Sequence, residues 1–152
     1  SSYDFKIIIN NLKQGNHFTV NSARSSNSYA MTDISGYGLS SHLIDMCLSS
    51  NLSCELTIDE NILINSNIEI LKMTQSTGFE NNYKYSRKFI SVSENHPLKN
   101  ILFDPQTNGP MLIAIKKQNK DKFENFFSDK MNIKPILIGR FINKLEKIIF
   151  IN

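Results

Sequence analysis

Two short segments constrain this chain more than any other feature: Thr32-Asp33-Ile34-Ser35-Gly36-Tyr37-Gly38 and Asp104-Pro105-Gln106-Thr107-Asn108-Gly109-Pro110. Each puts an acidic residue, a hydroxyl and at least one glycine into a turn beside an apolar run. The extended lead Tyr29-Ala30-Met31 runs into the first. Gly36 and Gly38 then permit backbone angles that other residues resist. Beyond them Leu39, Leu43, Met46 and Cys47 recur on one helical face, so a helix starts at the end of the turn and stops near Ser49 to Asn51. The second segment leads into Met111-Leu112-Ile113-Ala114-Ile115, a run of strand length expected to be buried on both faces. Turns of this make-up suit a loop that holds a metal ion or phosphate oxygens.

Periodicity supplies the other elements. Phe5 to Leu12 is apolar enough for a helix or a strand, Gly15-Asn16 marks a turn, and Phe18 to Ser25 fits a short helix. Ser53 to Ile58 alternates as a strand, with Cys54, Leu56 and Ile58 on one side and Ser53, Glu55 and Thr57 on the other. Ser66 or Asn65 could cap a helix over 67–73. Residues 75–82 are polar and read as a loop, with a short strand around Lys88 to Val92. Lys120 to Met131 is the clearest helix, carrying Phe123, Phe126, Phe127 and Met131 on one stripe. Strands are expected over 135–139 and 148–151. Helices mix with strands throughout, so the expected fold is an α+β layered domain with a mixed sheet flanked by helices. At 152 residues the chain is long enough for one domain, 1–152, with a real hydrophobic core.

Composition excludes more than it identifies. The net charge of +3 is mild, and Lys116, Lys117, Lys120, Lys122 and Lys130 decorate the clearest helix as a solvated face, not a nucleic-acid footprint. No apolar stretch approaches the length of a membrane span. Cys47 and Cys54 have no metal-ligand or CxxC spacing, and are expected as buried reduced thiols, which points to a cytoplasmic setting. Neither sits in a glycine-rich or basic context that would make it a nucleophile.

Asp33 ends an extended segment just before a glycine turn and a helix start. That position suits Mg²⁺, which takes oxygen ligands and commonly one or two protein carboxylates beside phosphates and water. Residue spacing alone favours an aspartate that caps the following turn or helix, because Asp-x-x-Gly turns are common. In the second segment Asp104 precedes a proline and so starts a turn, while Gly109 permits close backbone approach.

Together these segments resemble the C-terminal domain of selenophosphate synthetases (selenide, water dikinases), within the superfamily related to aminoimidazole ribonucleotide synthetase. The family patterns are T-D-(V/I)-(T/S)-G-(F/Y)-G and D-P-Q-T-S-G-G. Here Tyr37 keeps the ring of the commoner Phe, and Leu39-Ser40-Ser41-His42-Leu43 keeps the histidine of L-L-G-H-L but not its glycine. Asn108 and Pro110 replace Ser and Gly, and Pro110 removes a backbone N–H. Met111 to Ile115 resembles the family's L-L-I-A-V, and Ile136 to Arg140 its closing A-x-V-I-G-x-V. The likeness runs over about residues 28 to 141, and 1–27 resembles the family poorly.

The resemblance implies that Asp33 is a metal ligand, and that Thr32, Gly36, Gly38, Asp104, Gln106, Thr107 and Gly109 form substrate and phosphate loops. It implies Mg²⁺ and ATP as cofactors and a parent reaction that converts ATP, selenide and water to selenophosphate, AMP and phosphate. The catalytic Cys or selenocysteine, its lysine and the glycine-rich ATP loop belong to an N-terminal domain for which this sequence carries no segment. The chain opens on Ser1-Ser2, as expected of a domain cut from a longer polypeptide. The implied partners are that N-terminal ATP-binding domain and, in the parent, a second copy in a homodimer, with no nucleic acid and no membrane. Alone, the domain is expected to be inactive. Two alternatives stand beside this reading. One is a non-catalytic regulatory or assembly module with the same fold. The other is a related ATP-dependent synthetase or kinase with a different substrate.

Overall fold

The computed structural model describes residues 6, 9–10, 12–13, 15–62, 76–93, 95–131 and 134–151. In chain order the elements are α1 (His17–Ser25), β1 (Ala30–Asp33), α2 (Gly38–Ser50), β2 (Leu52–Leu56), α3 (Thr77–Ser86), β3 (Ile90–Ser91), β4 (Met111–Ala114), α4 (Lys120–Met131), β5 (Gly139–Asn143) and β6 (Ile149–Ile151). Short 3-10 turns lie at Glu60–Ile62, Lys99–Leu102 and Lys117–Asn119. The chain forms two compact units, Ser1–Ile34 with Asn108–Leu137, and Ser35–Thr107 with Ile138–Asn152.

In the first unit β1 and β4 pair antiparallel, with Met31 opposite Ile113 and Asp33 opposite Met111. A two-stranded ribbon is marginal alone and needs an apolar face covered. Met31, Ile113, Ile115 and Met131 pack against the buried Ala23 of α1 and Phe123 and Phe127 of α4. Phe123 and Phe127 stack with their centroids 5.7 Å apart, while Phe126 faces outward at 39% exposure. The expectation that Met111 to Ile115 is buried on both faces does not hold. In β4 only Leu112 is fully buried, because the strand has one partner and one covered face.

The second unit holds the mixed sheet. Its order is β3-β6-β2-β5, with β2 parallel to β6 and antiparallel to β5, and β3 parallel to β6. Leu39, Leu43, Ile44 and Cys47 bury one side of α2, and α2 packs on β2. The helix ends at Asn51, whose φ of 53° is left-handed and tolerable for asparagine. Both thiols are buried and free, as expected. A hydrogen bond with Cys47 and burial both push the Cys54 thiol up, which keeps it protonated.

Three expectations change here. Ser53, expected on the side of its strand opposite Cys54 and Leu56, is fully buried as they are. Its hydroxyl donates to Lys147 O at 3.0 Å and accepts the Leu145 N–H at 2.9 Å. Residues 77–86, read mostly as a loop, form α3. The strand expected over 135–139 starts only at Gly139, because Ile136 and Leu137 are exposed and unpaired in regular structure. Gly139 is required where it stands: a Cβ there would collide with the backbone of Glu55. The helix expected over 67–73 lies outside the described residues. The described residues between 6 and 13 are helical.

Candidate functional site

In the first unit, β1 carries Thr32 and Asp33 to its C-terminal end. The Thr32 hydroxyl donates to Asp33 O at 3.2 Å. The Asp33 side chain is exposed and has no hydrogen-bond or ion-pair partner among the described residues. It is therefore not tied up as a cap and is available as an oxygen ligand. Past Asp33 the ribbon closes through the Ile34 N–H, which donates to Pro110 O at 3.0 Å. Pro110 has no N–H, but its carbonyl holds the strand pair.

Asn108 and Gly109 belong to the same end of this unit. Asn108 has a φ of 52°, in the left-handed region where asparagine is better tolerated than serine. Its amide donates to Leu12 O at 2.8 Å, and Asn16 Nδ2 donates to the buried Gly109 at its carbonyl, 3.1 Å away. The two departures from the family pattern thus each carry a backbone role in this loop.

In the second unit, residues 35–38 form the glycine turn. The Gly38 N–H donates to Ser35 O at 2.9 Å. Gly38 has a φ of 73°, and its α-carbon packs so close to the 102–104 backbone that a Cβ would lie 3.0 Å from Leu102 O. Gly36 is open, with nothing within 4 Å of a Cβ. His42, one turn into α2, reaches back to the same turn. Its Nε2 accepts the Ser35 N–H at 3.1 Å and lies 3.0 Å from the Ser35 hydroxyl. Since a backbone N–H can only donate, Nε2 is the acceptor and the ring proton is on Nδ1. His42 is a hydrogen-bonded helix residue, as the sequence suggests.

Asp104, Gln106 and Thr107 follow the Lys99–Leu102 turn in the same unit. Gln106 Nε2 donates to Asp104 Oδ2 at 2.5 Å, and the Gln106 N–H donates to Ser35 O at 3.1 Å. Thr107 is exposed. Burial pushes the Asp104 carboxyl above its ordinary value, and the Gln106 hydrogen bond draws it partly back. Gly78 of α3 lies against Pro105, where a Cβ would sit 2.9 Å from the proline Cγ.

One participant was invisible in the sequence. Asn82 of α3 donates from its amide to Gly36 O at 2.9 Å and to Phe103 O at 3.0 Å. Lying in a stretch read as loop, it carries no motif. The available signal was Ser76 as an N-cap, which accepts the Phe79 N–H at 3.2 Å, followed by Phe79 and Tyr83 on one face. Both rings meet Phe103 edge-on, at 5.9 and 5.2 Å between centroids. Among the described residues no three His, Cys, Asp or Glu side chains gather as a metal site. No described helix is long and apolar enough to cross a membrane.

Residues 19–151 match the family described as AIR synthase related protein, C-terminal domain. The chain is 32% identical over 138 residues to the selenide, water dikinase of Shewanella baltica (strain OS155 / ATCC BAA-1091), covering 90% of this chain and 38% of that protein. It is 33% identical over the same length to the selenide, water dikinase of Shewanella sp. (strain W3-18-1), with the same coverage. It is 29% identical over 124 residues to that of Caldanaerobacter subterraneus subsp. tengcongensis, covering 80% of this chain and 36% of the relative. The chain thus spans well under half the length of these curated relatives. With its α+β architecture, its mixed sheet and a family match over nearly its whole length, the chain belongs to the AIR synthase related family as a C-terminal domain.

Proposed function

We propose that this chain is the C-terminal domain of a selenide, water dikinase, which converts ATP, selenide and water to selenophosphate, AMP and phosphate. The observation that carries this reading is Asp33. An exposed carboxylate with no intramolecular partner stands at the end of β1, in a chain about a third identical to enzymes of that name. The residues fit a Mg²⁺ ion as part of its shell. A single carboxylate is a usual protein contribution to magnesium, with phosphate and water oxygens supplying the rest.

Bound Mg²⁺ would neutralise phosphate charge, the main requirement of phosphoryl transfer. Asp33 would contribute its oxygen to that ion. The Asp104 to Gly109 segment and the turn with Thr32, Gly36 and Gly38 would border the substrate. An N-terminal ATP-binding domain of the same polypeptide would bring the nucleotide and the catalytic groups, in a cytoplasmic homodimer.

The test is selenide-dependent AMP formation by the full-length polypeptide, with and without Asp33→Asn. Loss of one metal ligand predicts a fall on the order of a hundredfold. Pro110 favours one other reading, a non-catalytic module, because it cannot offer an N–H to a ligand. A well-folded full-length protein that forms no AMP would select that reading.

A further inference from the structure

We infer that Asn82 is a positioning residue that locks the glycine turn at 35–38 to the aspartate turn at 103–106. The inference rests on the proposed function for its kinetic consequence, but not for its structural one. Asn82 lies inside α3, where asparagine is a poor helix former. It is nearly buried, at 6% exposure. Helix formation gives no reason for it, and neither does packing of an apolar face. Its amide nitrogen supplies two hydrogens, and two carbonyls from different turns take them, Gly36 O and Phe103 O. A neutral side chain of this length with two donors on one atom is Asn. Asp offers no donor, and neutral His offers one.

The consequence reaches the carboxylate. The Gln106 N–H bonds Ser35 O, and the Gln106 side chain holds Asp104 Oδ2. At Gly38 the two turns pack backbone against backbone. The aim of Asp104 relative to the glycine turn therefore depends on how the turns are joined, and Asn82 is the side chain that bonds both. Asn82 would touch neither nucleotide nor metal. It would act through Asp104, Gln106 and Gly36.

The test uses Asn82→Leu, which keeps the branched shape and removes both donors, beside Asn82→Ala in case the larger leucine does not fit. Ser53→Ala is the control, since it removes two hydrogen bonds in the same unit far from the turns. Amide hydrogen exchange on this chain should speed up about tenfold or more in peptides covering 35–38 and 103–106, with β2, β5 and β6 unchanged. Unchanged exchange there, or a uniform rise matching Ser53→Ala, would overturn the clamp. In the full-length polypeptide, kcat for AMP formation should fall about tenfold while the KM for ATP moves much less. Local loosening with unchanged kcat would overturn the positioning role. A wild-type protein that makes no AMP would instead sink the functional reading and the kinetic role with it, and the exchange result would still decide the clamp.

Discussion

Gly38→Ala and Gly36→Ala form a matched pair within one turn, and the structure separates them. Gly38 has a φ of 73°, and an added Cβ would meet Leu102 O at 3.0 Å, Phe103 C at 3.1 Å and Asp104 O at 3.2 Å. All three neighbours are backbone, so none can swing away. Left-handed backbone costs an L-residue roughly 1–2 kcal/mol. Forcing a methyl into a packed site costs about 1–3 kcal/mol more. The alanine should thus destabilise the chain by about 2–5 kcal/mol, which for a domain of this size lowers Tm by roughly 4–20 °C. Gly36 has no positive φ in this structure and nothing within 4 Å of a Cβ. Its alanine should stay within about 0.5 kcal/mol of wild type. Urea unfolding followed by far-UV circular dichroism measures both. A Gly38→Ala loss below about 1 kcal/mol, or equal losses at the two glycines, would refute the close backbone packing of the two turns.

Three further outcomes are expected. The raised Asp104 carboxyl costs stability as pH rises from its ordinary value through its raised one, and the cost is complete above that. Asp104→Asn keeps an acceptor for Gln106 and removes that cost. It should therefore raise Tm at pH 8, with the gain gone below the ordinary carboxylate range, and a Tm loss at pH 8 would contradict this. Ser53→Ala leaves the Leu145 N–H without its buried acceptor and should cost about 1–3 kcal/mol in urea unfolding. Arg140 pairs with Glu55 at 2.6 Å, but its side chain is 75% exposed. Its removal should therefore cost under about 1 kcal/mol, and less in high salt.

What the sequence reveals of this fold follows its apolar periodicity. α4 matches its expected range residue for residue, because Phe123, Phe127 and Met131 sit on one stripe against the β1–β4 ribbon. α2 is legible for the same reason. α3 is not, because its inward face is largely polar: Asn82 and Ser86 are buried, with Ser86 Oγ 2.9 Å from Ser40 Oγ. A reading that seeks apolar stripes passes over a helix that buries hydrogen bonds. Ser53 misled in the same way, as an alternating polar residue whose hydroxyl is satisfied inside the unit. Thr32 to Gly38 and Asp104 to Pro110 stand out as turns through their glycines and prolines. What no motif could reveal is that one side chain of the overlooked helix bonds Gly36 of the first segment and Phe103, the residue just before the second. Gly139 shows a further limit, since the need for glycine there comes from Glu55, a residue remote in sequence.

The proposed role of Asp33 is that of a metal ligand in a selenide, water dikinase. The most direct test is AMP formation from ATP by the full-length polypeptide in the presence and absence of selenide, for wild type and Asp33→Asn, with folding checked by circular dichroism. Selenide-dependent AMP is expected in wild type, with a loss on the order of a hundredfold in the variant. A folded wild type that forms no AMP, or a variant that forms it at the wild-type rate, would contradict it.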